Sequence, residues 1–198
     1  SAANKFNTAV GYNAGLEVTT GTNNTLVGGE AGDALTTGTS NNAVGYLALS
    51  ATTTANQNNA FGRSSLASNT TGADNSGFGQ NTLGSATTAS NNTAVGSDAG
   101  GAVTTGINNT LIGALAGDAL TDGQENVAVG YQALTADTQG ENSVAIGNNA
   151  LFSQNGVNGN VFNVAIGKNA GFAITTGVEN TLIGGLAGDS LTDADFNV

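Results

Sequence analysis

Two small or apolar residues followed by a glycine return every seventeen residues along this chain, separated by stretches rich in Asn, Thr and Ser. The glycines are Gly11, Gly28, Gly45, Gly62, Gly79, Gly96, Gly113, Gly130 and Gly147, then, after one twenty-residue step, Gly167 and Gly184. A period held through eight consecutive steps means that every unit has the same path length and packs on its neighbours, as in solenoids and β-rolls. The pattern predicts a strand in every repeat that ends at the glycine.

The residue before each glycine is Val, Ile or Phe: Val10, Val27, Val44, Phe61, Phe78, Val95, Ile112, Val129, Ile146, Ile166 and Ile183. Such residues favour strands, and this row is the expected structural core. The residue before it is small or apolar (Ala9, Leu26, Ala43, Ala60, Gly77, Ala94 and their successors) and points to the opposite side of the strand. Both faces of the strand therefore read as buried, the second against another chain.

Four residues after the glycine stands either Gly (15, 32, 100, 117, 171, 188) or Leu (49, 66, 83, 134, 151). Wherever it is Gly, the seventh residue is large and apolar: Val18, Leu35, Val103, Leu120, Ile174 or Leu191. Wherever it is Leu, the seventh is Thr52, Asn69, Ala86, Asp137 or Gln154. This trade is expected if the two positions share one slot of a close-packed, narrow interior.

Asn lies four residues before the glycine in ten of eleven units, Ser143 being the exception, and stacked Asn side chains can form a coil-to-coil ladder. Thr stands eight residues after the glycine in ten units, often doubled and followed by Gly, which reads as a second short strand ending in a turn. The fold class is all-β, a parallel β-roll or β-solenoid of eleven 17-residue coils in a single repeat domain over 1–198. At ~4.7 Å per coil it makes a rod roughly 50 Å long.

Composition narrows the chemistry. With no Cys, His, Met, Trp or Pro, the chain lacks a thiolate nucleophile, a His-centred triad and the common zinc ligands. No catalytic residue, metal or cofactor is expected, and the chain reads as non-enzymatic. Three basic residues, Lys5, Arg63 and Lys168, face fourteen acidic ones for a net charge of −11, so no nucleic-acid partner is expected. Only 9% of residues are charged, which leaves the polar-neutral surface of an extracellular fibre, and the strict register argues against disorder. No stretch approaches the roughly 20 apolar residues that span a bilayer, so no direct membrane insertion is expected. The chain begins at Ser1, and Asn197-Val198 falls where a twelfth repeat would open, so it reads as an excerpt of a longer fibre.

Asn142-Ser-Val-Ala-Ile-Gly147, Asn163-Val-Ala-Ile-Gly167 and the Asn-Thr-Ala-Val-Gly runs at 7–11 and 92–96 resemble the YadA-like head repeats of trimeric autotransporter adhesins. Asn-Val-Ala-Val-Gly-Tyr-Gln-Ala-Leu at 126–134 also resembles repeats of phage-tail-fibre-like surface proteins. The resemblance implies a left-handed β-roll, a homotrimer, a place on a cell or virion exterior, and adhesion to a cell-surface receptor or carbohydrate.

The three-residue insertion within 152–162 is the first candidate ligand site, with Phe152, Gln154, Asn155, Asn158, Asn160 and Phe162, because insertions in repeat proteins become loops on one face. The bland alternative is a tolerated bulge. Tyr12, Tyr46 and Tyr131 follow the glycine, where they would stack on sugars or, more simply, touch a neighbouring subunit. Asp33, Asp118 and Asp189 recur one per coil without the calcium nonapeptide pattern and read as turn caps. The threonine row raises an ice-binding alternative, against which stands the adjacency of each Thr pair, since only one of the two can lie on a flat face.

Overall fold

A computed structural model of the chain describes residues 5–198. Eleven three-residue strands form one parallel sheet whose order follows the chain. They are β1 (Thr8–Val10), β2 (Thr25–Val27), β3 (Asn42–Val44), β4 (Asn59–Phe61), β5 (Ser76–Phe78), β6 (Thr93–Val95), β7 (Thr110–Ile112), β8 (Val127–Val129), β10 (Val144–Ile146), β12 (Val164–Ile166) and β13 (Thr181–Ile183). Each strand pairs in register with its counterpart one coil on, as in Asn42↔Asn59, Ala43↔Ala60 and Val44↔Phe61. The pairing holds across the twenty-residue step, where Ile146 meets Ile166. The protein is an all-β parallel β-solenoid. Two further two-residue strands, β9 (Gly140–Glu141) and β11 (Gly159–Asn160), pair at the insertion.

The threonines form no second strand. One carbonyl per coil gathers the bonds there: Thr53 O accepts from Thr36 N–H at 2.9 Å, from Thr37 N–H at 3.3 Å and from the Thr36 hydroxyl at 3.0 Å. The polypeptide bends too often there for a ladder of consecutive pairs to develop.

The interior is the reverse of the sequence expectation. The middle residue of each strand faces in, with Leu26, Ala43, Ala60, Ala94, Leu111, Ala128, Ala145 and Ala165 fully buried. The row expected as core (Val10, Val27, Val44, Phe61, Phe78, Val95, Ile112, Val129, Ile146, Ile166, Ile183) lies on the outer face, part-exposed along its length, with Phe61 at 38% and Phe78 at 42%. The physical reason is space. Coils this narrow accept Ala, Gly or an occasional Leu opposite the buried fourth and seventh positions, and a Phe would not fit.

The shared slot is present as expected. A Cβ added at Gly117 would stand 2.9 Å from Leu120 Cδ1 and 2.8 Å from Leu111 Cδ2. A third row joins the trade. Each middle-row leucine meets a glycine at the fourth position of its own coil and of the preceding one: Leu26 with Gly32 and Gly15, Leu111 with Gly117 and Gly100, Leu182 with Gly188 and Gly171. Those three leucines account for all six fourth-position glycines. Gly77 extends the logic, because the empty middle position is taken up by Ser65 and Thr82, whose hydroxyls lie 2.8 Å apart.

The fourth position is left-handed whichever residue holds it, with φ 55° at Gly32 and 53° at Leu49. A leucine there costs about 1–2 kcal/mol of backbone strain, whereas burying its side chain contributes about 1.5–3 kcal/mol. Burial wins, so leucine is tolerated where the slot is otherwise empty. At the invariant glycine no such bargain exists. A Cβ on Gly28 (φ 138°) would lie 2.5 Å from the Gly45 carbonyl oxygen, a backbone atom that cannot yield.

The Asn row is a continuous internal ladder from Asn7 to Asn126. Each Oδ1 accepts the backbone N–H of the next coil's Asn at 2.8–3.1 Å. Each Nδ2 also donates to a backbone carbonyl fourteen residues on, such as Asn41 to Ala55 O at 2.8 Å. These bonds satisfy buried main-chain groups that the short strands leave unpaired.

The size code is testable. Ala60→Leu should destabilise the chain by about 1–3 kcal/mol through overpacking against Leu49 and Leu66. Adding Leu49→Gly and Leu66→Gly to Ala60→Leu should cost less than the sum of the separate changes. Additive losses in denaturant titrations would show that the three rows do not share space.

Candidate functional site

The strand pattern decides what the outer face carries. With the middle residue turned in, the first and third residues of each strand turn out. The first is Thr, Asn, Ser or Val and the third is Val, Ile or Phe in every coil. Phe61 and Phe78 stack with ring centroids 5.0 Å apart, each lying over its coil neighbour as register requires. The result is a ribbon of apolar and hydroxyl side chains running the length of the solenoid.

Two exposed rows bound this ribbon. A rim follows the glycine and holds Tyr12, Tyr46, Arg63, Gln80, Tyr131 and Lys168. A corner row lies five residues before the glycine, left-handed throughout, as at Gln57 (φ 59°) and Asp74 (φ 59°). None of the fourteen acidic residues occupies the ribbon or the rim, and two of the three cations sit on the rim. In a chain of net charge −11, a full-length uncharged face is the most distinctive surface feature.

The insertion does not gather its candidate residues into one site. Gln154 is buried, whereas Asn155, Asn158, Asn160 and Phe162 are exposed. Phe152 is half-buried and stacks on Phe172 at 5.0 Å. Asn155 Oδ1 accepts from the Thr138 hydroxyl at 3.1 Å, and Asn160 Oδ1 accepts from Asn142 Nδ2 at 2.6 Å. The loop is tied down by its neighbours in the preceding coil. Tyr12, Tyr46 and Tyr131 stand exposed in separate coils and form no common patch. Asp118 accepts from the Thr135 hydroxyl of the next coil.

Gln154 repairs the one break in the Asn ladder. Ser143 is too short to donate onward, and Gln154 fills the gap from the seventh position. Its Nε2 donates to Ser143 Oγ at 3.1 Å and to Asp137, and its Oε1 accepts from Asn163 Nδ2 at 2.9 Å. Asp137 Oδ1 accepts the Gly140 and Gln139 N–H groups at 2.8 and 3.2 Å. Burial raises the Asp137 pKa above the usual carboxylate value of 3.8, partly offset by these hydrogen bonds and the one from Gln154.

Comparison with protein families, curated proteins and solved structures finds no match to this chain. The geometry therefore carries the functional argument. Among the described residues no group of three or more acids is placed to hold a metal ion. A shallow cleft of about 160 Å³ opens on the rim between Arg63, Ser64, Gln80, Asn81 and Asp98, with Asn81 Nδ2 donating to Asp98 Oδ1 at 2.8 Å.

Sequence reasoning missed the outer ribbon as a surface. The available signal was size: a row that accepts both Val and Phe in adjacent coils suits an open face better than a narrow core.

Asp137 yields a pH prediction. Because its folded pKa lies above the unfolded value, ionisation opposes folding: the cost is absent below about pH 4 and grows as pH rises through the folded pKa. Asp137→Asn should therefore melt at a higher temperature than the wild type at pH 7, with the gap closing by pH 3. Asn69 occupies the same position in its coil and satisfies both its amide groups on Gly72, so the replacement has a precedent. A gap that persists at pH 3 would contradict the assignment.

Proposed function

We propose that this chain is a structural and adhesive module of a homotrimeric extracellular fibre, on a cell or virion exterior, attaching to a cell surface or glycan and performing no catalysis. The observation that carries this reading is the uncharged apolar ribbon that runs the length of a strongly acidic rod. Exposed contiguous apolar surface marks an association site. Copies repel one another wherever acids meet, and the ribbon is the face on which they can approach without that cost. The resemblance of the Asn-x-Ala-Val/Ile-Gly repeats to trimeric adhesin heads supports three as the number of copies. The many Asn, Thr and Ser residues of the remaining surface suit an extracellular fibre, and no helix among the described residues is long and apolar enough to cross a membrane.

The trimer is tested by light scattering of the purified chain, with three copies expected. Ile112→Asp, on the outer ribbon, should leave the solenoid folded by circular dichroism yet monomeric, whereas Ala128→Asp, on the inner row, should prevent folding. A wild-type monomer, or an Ile112→Asp variant that remains a trimer, would contradict the reading. A glycan array tests the adhesive part, with binding by the trimer and none by the Ile112→Asp monomer as the expected result.

A further inference from the structure

The repeat departs furthest from its own pattern around one place. The outer strand row is Val or Ile in nine coils and Phe only at Phe61 and Phe78. The same two coils carry the chain's one arginine, Arg63, and Gln80 at the rim position, each two residues after its Phe. Arg63 and Gln80 border the shallow rim cleft of about 160 Å³, and Ser64, Asn81 and Asp98 complete its lining. Acids thin out around it. Of the fourteen, only Asp74 and Asp98 lie between Asp33 and Asp118, so this is the stretch of the rod that an anion approaches against the least repulsion.

The cleft holds its polar groups ready and unpaired. Asp98 is oriented by neutral donors, its Oδ1 accepting from Asn81 Nδ2 and its Oδ2 from Ser97 Oγ, both at 2.8 Å. The side chains of Arg63, Ser64 and Gln80 make no hydrogen bond, and Arg63 no ion pair, among the described residues. Comparable side chains elsewhere are consumed between coils, as where Gln124 Nε2 donates to Glu141 Oε1 at 2.9 Å. Free donors gathered beside a fixed carboxylate leave work for a ligand.

We infer that this cleft binds an acidic sugar residue, with the Arg63 guanidinium on the carboxylate and Asp98, Gln80 and Ser64 on the ring hydroxyls. The inference rests on the glycan attachment proposed above and gives it a site. The donor and acceptor set selects the class. A guanidinium with its N–H groups free matches a carboxylate through a two-bond fork. Ring hydroxyls both donate and accept, and they face a carboxylate that only accepts together with an amide and a hydroxyl that do both. A bare inorganic anion would bring its charge against Asp98 with no donor between them, whereas an acidic sugar sets its carboxylate at one end and hydroxyls at the other. Size limits the extent of the contact. The volume lies below the ~300 Å³ at which pockets for larger ligands begin, so one ring is held, and several copies in one fibre would strengthen the attachment by avidity.

The test is an NMR titration of the intact chain with glucuronate, glucose and acetate. Glucuronate should bind most tightly, glucose weakly and acetate not at all. Arg63→Gln should lower the glucuronate affinity roughly tenfold, to the level of glucose, and leave glucose binding unchanged. Gln80→Ala should weaken both sugars. Lys168→Gln removes the other rim cation and should change neither, which separates a built site from diffuse attraction. Circular dichroism and light scattering should show all three variants folded and assembled as the wild type is. Absence of saturable glucuronate binding, acetate binding as tight as glucuronate, or an equal loss in Lys168→Gln would overturn the site. A positive glycan array alongside such a result keeps the adhesive reading and moves its site elsewhere; a negative array from an intact trimer removes both.

Discussion

Each strand residue of this solenoid lies beside its counterpart in the next coil, seventeen residues on at every step but one, and that in-register stacking at the spacing of a parallel ladder constrains everything else. It forces glycine at the end of each strand, because the next coil's glycine carbonyl occupies the space a Cβ would need. It turns a column of asparagines into a ladder in which one side chain serves two coils. It also makes interior packing a problem shared between neighbours, so that Leu111 is possible only where Gly100 and Gly117 leave room. Stability in such a structure is a sum over coil contacts, and one misfit is felt by the coils on either side.

The same stacking explains how the outside becomes patterned. A side chain that points outward once points outward in every coil, so a modest preference at one position becomes a ribbon about 50 Å long. The third strand residue is apolar in all eleven coils and the first is uncharged in all eleven. The acids are placed on the other surfaces, which leaves this face uncharged along its length.

The period, the parallel solenoid and the slot shared by the fourth and seventh positions were legible in the sequence because each follows from a spacing or a size rule. The direction of the strand was not. A three-residue strand with apolar side chains on both faces gives no alternation to read, and the choice between Ala128 and Val129 as the inward residue is settled by how much room the coil has. Gln154 shows a second limit. Its place in a lengthened unit suggested an exposed ligand residue, yet it is also the seventh residue after Gly147, a slot position, and the missing Asn at Ser143 gave it a partner to replace. The second expected strand failed for a simpler reason: threonine favours extended backbone, but repeated bends make successive N–H groups converge on one carbonyl of the next coil in place of a ladder.

Inside against outside is the claim on which the interface argument stands, and adjacent residues of one strand test it. The cysteine-free chain allows Ala94→Cys and Val95→Cys to be compared by maleimide labelling across a range of protein concentrations. With Ala94 fully buried and Val95 at 38% exposure, Ala94→Cys should stay unreactive at every concentration. Val95→Cys should react rapidly in the dilute chain and become protected as copies assemble. Rapid labelling at position 94 together with protection at position 95 in the dilute chain would contradict the account.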